Sequence, residues 1–144
     1  MNINIELKPG AKVPQRSTSS AAGFDLYSNE DATILAGATH VIHTGIIMEI
    51  PDGYFGGIYA RSGLATKEGL RPANCVGVID SDYRGEICVA LHNDSSSTKH
   101  VSAGERIAQL IIQSYAAPTF DVVKSVNINS TERGINGFGS TGIK

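Results

Sequence analysis

Short apolar runs recur along this chain at intervals of about 8 to 12 residues, punctuated by glycine, proline and aspartate, and this rhythm constrains the fold most. Ile3, Ile5 and Leu7 alternate with polar residues, as a half-buried strand requires. Runs at 32–35, 40–43 and 46–50 follow, separated by Gly37 and Gly45 and closed by Pro51, Asp52 and Gly53. Residues 54–60 and 76–79 are further β-rich runs. In 87–92, Ile87, Val89 and Leu91 alternate with Cys88, Ala90 and His92. A series of this kind predicts an all-β domain: a sandwich, barrel or jelly roll. The 16 glycines and the absence of tryptophan suit a chain rich in turns and close backbone approaches.

Two stretches carry helical signals. Residues 62–68 begin with Ser62, a capping-type residue, and continue through helix formers until Gly69. In 105–115, Ile107, Leu110, Ile111 and Ser114 fit helical spacing, while Leu110, Ile111 and Ile112 fit a buried strand; periodicity there leans towards helix.

A chain of 144 residues makes one ordinary domain, expected over 1–144, with no repeat or linker dividing it. No apolar run approaches the roughly 20 residues that span a bilayer, and residues 1–7 lack the basic start and apolar core of a secretory signal. A reducing, cytoplasmic location is the resulting expectation. Cys75 and Cys88 lack metal-ligand or redox spacing and read as free buried thiols. A net charge of −2 argues against general nucleic-acid binding, but not against an anionic small molecule held by a few arginines.

Residues 77–85 hold the densest chemistry. Gly77, Val78 and Ile79 lead into Asp80, Ser81, Asp82, Tyr83 and Arg84, closed by Gly85, with a second strand-like run behind them. The cluster therefore falls at a turn between strands, where functional groups are often mounted. Asp80 begins at the edge of an apolar surface, a setting that suits a base holding a water against a substrate. The alternative is an acidic hairpin loop with Tyr83 folded over its own strand.

Other polar residues stand in pairs of readings. Arg61 and Ser62 beside a helical turn form a phosphate seat or a plain cap. Gln109, between apolar neighbours, is a ligand contact or a satisfied core amide. Asp25 attracts a hard cation through water or braces a turn. His40 and His43, three apart in a strand-like run, face opposite sides; His92 and His100 have no evident partner, and all four read as structural or surface residues. The segment 127–144 has little to bury and ample glycine, so it is expected to be a flexible tail. On it, Arg133, Phe138, Ser140 and Thr141 supply a cation, a flat ring and two hydroxyls, the parts needed to close over a base and a phosphate. No Walker-type lysine loop, HExxH, GxSxG elbow or zinc-deaminase cysteine pair is present.

Taken in order, these pieces resemble the five motifs of the trimeric dUTP diphosphatase (dUTPase) family. The resemblance rests on 22–27 (AGFDLY), 57–65 (GIYARSGLA), 77–85 (GVIDSDYRG), 104–111 (GERIAQLI) and 133–142 (RGINGFGSTG). It runs from residue 22 to residue 142.

The resemblance implies a distorted jelly-roll β-barrel with one short helical turn, and a homotrimer whose three sites each draw on all three chains. It also implies that 105–115 is mainly strand. The implied reaction is hydrolysis of dUTP to dUMP and pyrophosphate, with Asp80 deprotonating the water that attacks the α-phosphorus. Uracil would be read by Asn74 and the backbone of Gly77, Val78 and Ile79, with Tyr83 against the deoxyribose. Arg61, Ser62, Gly63 and Gln109 would hold phosphates, and Arg133, Phe138, Gly139, Ser140 and Thr141 would close the tail over the nucleotide. Mg²⁺ is the implied cofactor, with Asp25 supporting its water shell. Ile135 and Asn136 stand where the family often has a small residue and a glycine, bulk that would slow tail closure without touching the chemistry. A dCTP deaminase of the same fold and a silent dUTP-binding regulator are the rival readings; Asp82, Tyr83 and Arg84 argue against the first and the intact Asp80 against the second.

Overall fold

The computed structural model describes residues 1–123, which form ten strands: β1 (Asn4–Leu7), β2 (Phe24–Tyr27), β3 (Ala32–Ile34), β4 (Thr39–Glu49), β5 (Tyr54–Tyr59), β6 (Leu70–Pro72), β7 (Val76–Ile79), β8 (Glu86–Asn93), β9 (Lys99–Val101) and β10 (Arg106–Ser114). They build two four-stranded sheets, ordered β1-β4-β8-β6 and β2-β10-β5-β7, and a two-stranded ribbon, β3-β9. Every pairing is antiparallel. The order makes neighbours of strands far apart in sequence, as a jelly roll does.

One apolar cluster draws on both sheets: Ile42, Ile46, Ile87, Val89 and Leu91 from the first, Leu26, Ile58, Ile107 and Leu110 from the second. Ile87, Val89 and Leu91 take the inner face of β8 while Cys88, Ala90 and His92 remain half-buried, which is the alternation their sequence predicts. Full burial of each large aliphatic side chain contributes about 1.5–3 kcal/mol.

The helical lean of 105–115 is overturned. β10 is a strand bonded to β2 on one edge and β5 on the other. A bulge between Arg106 and Ala108 lets Ile107 and Ala108 both turn inward, and this broken alternation imitates helical spacing. The separate runs at 40–43 and 46–50 are one strand, β4, bulged between His43 and Ile46. Gly45 makes the bulge possible: its φ is +70°, and a Cβ there would come within 2.6 Å of the Ala11 side chain.

The helical signal at 62–68 becomes one π-type turn, Leu64–Glu68, ended by Gly69 with φ 69°. Ser62 does not cap it with its side chain. Gly63 occupies the cap position, and Thr66 Oγ1 donates to the Ser62 carbonyl at 2.7 Å. No helix among the described residues is long and apolar enough to cross a membrane.

The cysteines are free but not buried. Cys75 is exposed at a turn, and Cys88 is half-buried in β8. Three of the histidines have partners: His92 Nδ1 lies 2.9 Å from Thr39 Oγ1, His100 Nδ1 lies 3.0 Å from Thr33 Oγ1, and His43 Nδ1 lies 3.1 Å from Glu86 Oε2. Cross-strand pairing supplies these contacts, which spacing along the chain does not reveal.

Candidate active site

The residues singled out by the sequence gather into two clusters. The first surrounds Asp25 on β2. This carboxylate is buried yet accepts from three donors: Ser17 Oγ at 3.0 Å, Arg61 Nε at 3.0 Å and Arg106 NH1 at 3.3 Å. Arg106 is an addition to the sequence reading; its place three residues before Gln109 in the 104–111 motif was the available signal. Gln109 faces Asp25 across β2 and Tyr59 across β5, and its Nε2 donates to the Ala60 carbonyl at 2.8 Å. Gly23 makes room for that amide, since a Cβ there would lie 2.6 Å from Gln109 Oε1. Ser62 and Gly63 are exposed beside Arg61, at the start of the π-type turn. The cluster is an arginine, an amide and an open turn oriented by one buried carboxylate, a set suited to anionic oxygens.

The second cluster surrounds Asp80 at the end of β7. The backbone N–H of Tyr83 donates to the Asp80 carbonyl at 3.2 Å, and Arg84 NH1 donates to the carbonyls of Ser81 (2.7 Å) and Tyr83 (3.0 Å). Arg84 thus braces the turn from within. The Tyr83 hydroxyl donates to the Glu86 carbonyl at 2.9 Å, so the ring folds back over Gly85 to the start of β8, close to the alternative of a tyrosine folded over its own strand. That fold-back fixes an aromatic shelf beside Asp80. Asp80 and Tyr83 line a hollow of about 220 Å³ with Val78, Ile79, Glu86 and Cys88.

A second hollow of about 150 Å³ adjoins it, lined by Asn74, Gly77, Val78 and Ile79 with Val41 and Cys88 among its walls. The hairpin that forms it is tight. The Val76 N–H bonds the Asn74 carbonyl two residues back, across Cys75, whose φ of 59° is the only positive value of a non-glycine among the described residues. Gly77 permits the approach, because a Cβ there would stand 3.1 Å from Ile58 Cβ and 3.2 Å from Asn74 Nδ2. The result is a small apolar slot edged by backbone polar groups and one amide, fit for a flat heterocycle.

Glu86 is part of the wall of the Asp80 hollow. Burial pushes its carboxyl upward, but bonds from Lys8, the Gly45 N–H and His43 outweigh burial and hold it below the ordinary glutamate range. Burial, with the neighbouring Glu86 charge, pushes the Cys88 thiol up.

The two clusters lie at opposite ends of one pair of strands. Tyr59 pairs with Val76 and Gly56 with Ile79, so Arg61 extends beyond one end of the β5-β7 pair and Asp80 beyond the other. Arg61 lies six positions after Phe55, the residue level with Asp80, which is roughly 20 Å along an extended strand. Arg133, Phe138, Gly139, Ser140 and Thr141, with the expected tail 127–144, lie outside the described residues.

Among known proteins, the family model described as dUTPase matches residues 10–142. A deoxyuridine 5'-triphosphate nucleotidohydrolase of Yarrowia lipolytica is 44% identical over 137 residues, covering 95% of this chain and 86% of its own. One from Fowlpox virus is 47% identical over 135 residues, covering 93% and 92%. The structure of the dUTPase of Staphylococcus bacteriophage 80alpha with dUpNHpp superposes with a TM-score of 0.91 at 28% identity, covering 99% of each chain.

Proposed function

This chain belongs to the dUTPase family, and from that premise we propose how its residues hydrolyse dUTP to dUMP and pyrophosphate. Uracil enters the slot beside Asn74, where that amide and the backbone N–H and C=O groups of Gly77, Val78 and Ile79 imitate a complementary base. The slot has no room for the 5-methyl of thymine. Cytosine offers a donor where an acceptor is required, and leaving buried polar groups unpaired rejects it. The Tyr83 ring packs on the deoxyribose and excludes a 2′-hydroxyl. Asp80 then holds a water against the α-phosphorus and takes its proton.

The single observation that carries the reading further is the separation of the two clusters. Phosphates next to Asp80 must also meet Arg61, Ser62, Gly63 and Gln109, yet within one chain these groups stand at opposite ends of the β5-β7 pair. A site assembled from neighbouring chains removes the conflict, and a homotrimer, in which each interface is used three times, accommodates it. The tail, through Arg133, Phe138, Gly139, Ser140 and Thr141, closes the nucleotide from water in this reading.

Mg²⁺ fits the donor chemistry in one way. The oxygens of Asp25 already accept from Arg61, Arg106 and Ser17, so Asp25 would reach the ion through water, and phosphate oxygens would supply the direct ligands. When bound, the ion neutralises charge on the leaving pyrophosphate. The free Cys75 and Cys88 accord with work in a reducing compartment.

The test is pyrophosphate release with Mg²⁺ from dUTP, dTTP, dCTP and UTP side by side. Turnover confined to dUTP is expected. Comparable release from dTTP would refute the slot, comparable release from UTP would refute the Tyr83 shelf, and ammonia from dCTP would make the chain a deaminase.

A further inference from the structure

Where β4 bulges beside β8, three side chains from two distant parts of the sequence converge. His43 pairs with Cys88 across the strands, and Glu86, two residues before Cys88, shares its face of β8. Their ligand atoms all lie within 4.8 Å of one another, the only such group of three among the described residues. We propose that His43 Nδ1, a Glu86 carboxylate oxygen and Cys88 Sγ bind one zinc ion.

The spacing suits the ion. Zinc bonds of about 2.3 Å to sulfur and 2.0–2.2 Å to nitrogen or oxygen, at tetrahedral angles, hold ligand atoms roughly 3.3–3.6 Å apart. His43 Nδ1 is 3.5 Å from Cys88 Sγ and 3.1 Å from Glu86 Oε2, so small side-chain adjustments suffice. The donor set is nitrogen, oxygen and sulfur, which selects zinc over magnesium. With the His43 side chain 55% exposed, solvent can reach the fourth position.

Charge balances as well. A glutamate carboxylate and a cysteine thiolate together match the two charges of zinc. Lys8, 2.6 Å from Glu86 Oε2, holds that carboxylate in the metal-free protein, and its half-exposed side chain can swing into water. An ordinary cysteine thiol is mostly protonated at neutral pH and binds metal as the thiolate, so binding breaks the S–H bond, forms a Zn–S bond and releases the proton to solvent. Glu86 and Cys88 also line the hollow beside Asp80, so the zinc site borders the proposed active site while leaving Asp80 and Tyr83 free.

The experiment is a titration of the full, nucleotide-free chain with Co²⁺, a spectroscopic stand-in, followed by displacement with Zn²⁺. A near-ultraviolet thiolate-to-cobalt band should saturate at about one ion per chain and vanish with zinc, and zinc binding should release about one proton. Changes to groups that merely support metal ligands cost about 10–100-fold in affinity, so His43→Ala and Cys88→Ser should each weaken zinc by at least about 100-fold. Cys75→Ser should bind as the wild type does. Thermal melts of each variant establish folding, and His43→Ala, at an exposed ring, keeps the test open should Cys88→Ser unfold. Absence of the band, its survival in His43→Ala or in folded Cys88→Ser, or its loss in Cys75→Ser would overturn the site.

Discussion

Arg61 Nε and Asp25 Oδ1 lie 3.0 Å apart, and the other oxygen of the same buried carboxylate faces Arg106 at 3.3 Å. One acidic group therefore aims two guanidiniums. Replacing Asp25 with Ala leaves both without their anion. Breaking a fully buried pair costs about 3–5 kcal/mol, but the side chains of Arg61 and Arg106 are 27% and 48% exposed, so water recovers part of it. We expect a loss of about 1–3 kcal/mol in urea unfolding. KM for dUTP should rise because Arg61 loses its orientation. A destabilised variant with an unchanged KM would separate Asp25 from substrate binding.

Tyr83 lies directly over Gly85. A Cβ at residue 85 would meet Tyr83 Cζ at 2.5 Å and Cε2 at 2.9 Å, so Gly85→Ala must push the ring off its shelf. Gly85 is half-buried in a surface turn, and the fold should survive. The preference for dUTP over UTP, read as a ratio of kcat/KM, should drop by about tenfold, the scale of one lost steric contact. Retention of the full preference would mean that Tyr83 does not police the sugar.

Much of this was legible in the sequence, and the exceptions share a cause. The runs of β5, β7 and β8 announced themselves through apolar alternation or β-branched composition. β10 did not, because the bulge at Arg106 and Ala108 breaks the two-residue period. β4 looked like two strands because Gly45 resembles a break but serves a bulge. Of the candidate site, Asp80, Tyr83, Asn74, Arg61 and Gln109 could be named from order along the chain. Arg106 as a partner of Asp25, and Cys88 as a neighbour of His43, could not. Those relations are set by strand register, which brings together residues 81 positions apart in the first case and 45 in the second.

The bonds of Glu86 predict a pH dependence. Its folded-state pKa is lowered from the ordinary value near 4.5, despite burial, by Lys8, the Gly45 N–H and His43. A lowered carboxyl pKa means the unfolded state binds protons more readily, so this stability is present above about pH 4.5 and is lost as pH falls through the folded value. With chelator present, the urea midpoint of the wild type should fall between pH 6 and pH 4 more than that of Glu86→Gln, which has no carboxyl to titrate. Parallel falls in the two proteins would assign the acid limb to other carboxylates.

The distance between Arg61 and Asp80 within one chain yields the sharpest test. Asp80→Asn should bind dUTP but not turn it over, and Arg61→Ala should lose phosphate binding and with it most turnover. If each site takes Asp80 from one chain and Arg61 from another, unfolding the two variants together and refolding them yields sites in which both residues are intact. Random assembly of a 1:1 mixture gives both native residues in about a quarter of sites, so about a quarter of wild-type turnover should return. Each variant refolded alone should remain inactive, and the mixture should elute as a single oligomer. If both residues served one site from the same chain, no mixture could ever combine them, and the refolded sample would be as inactive as its parents.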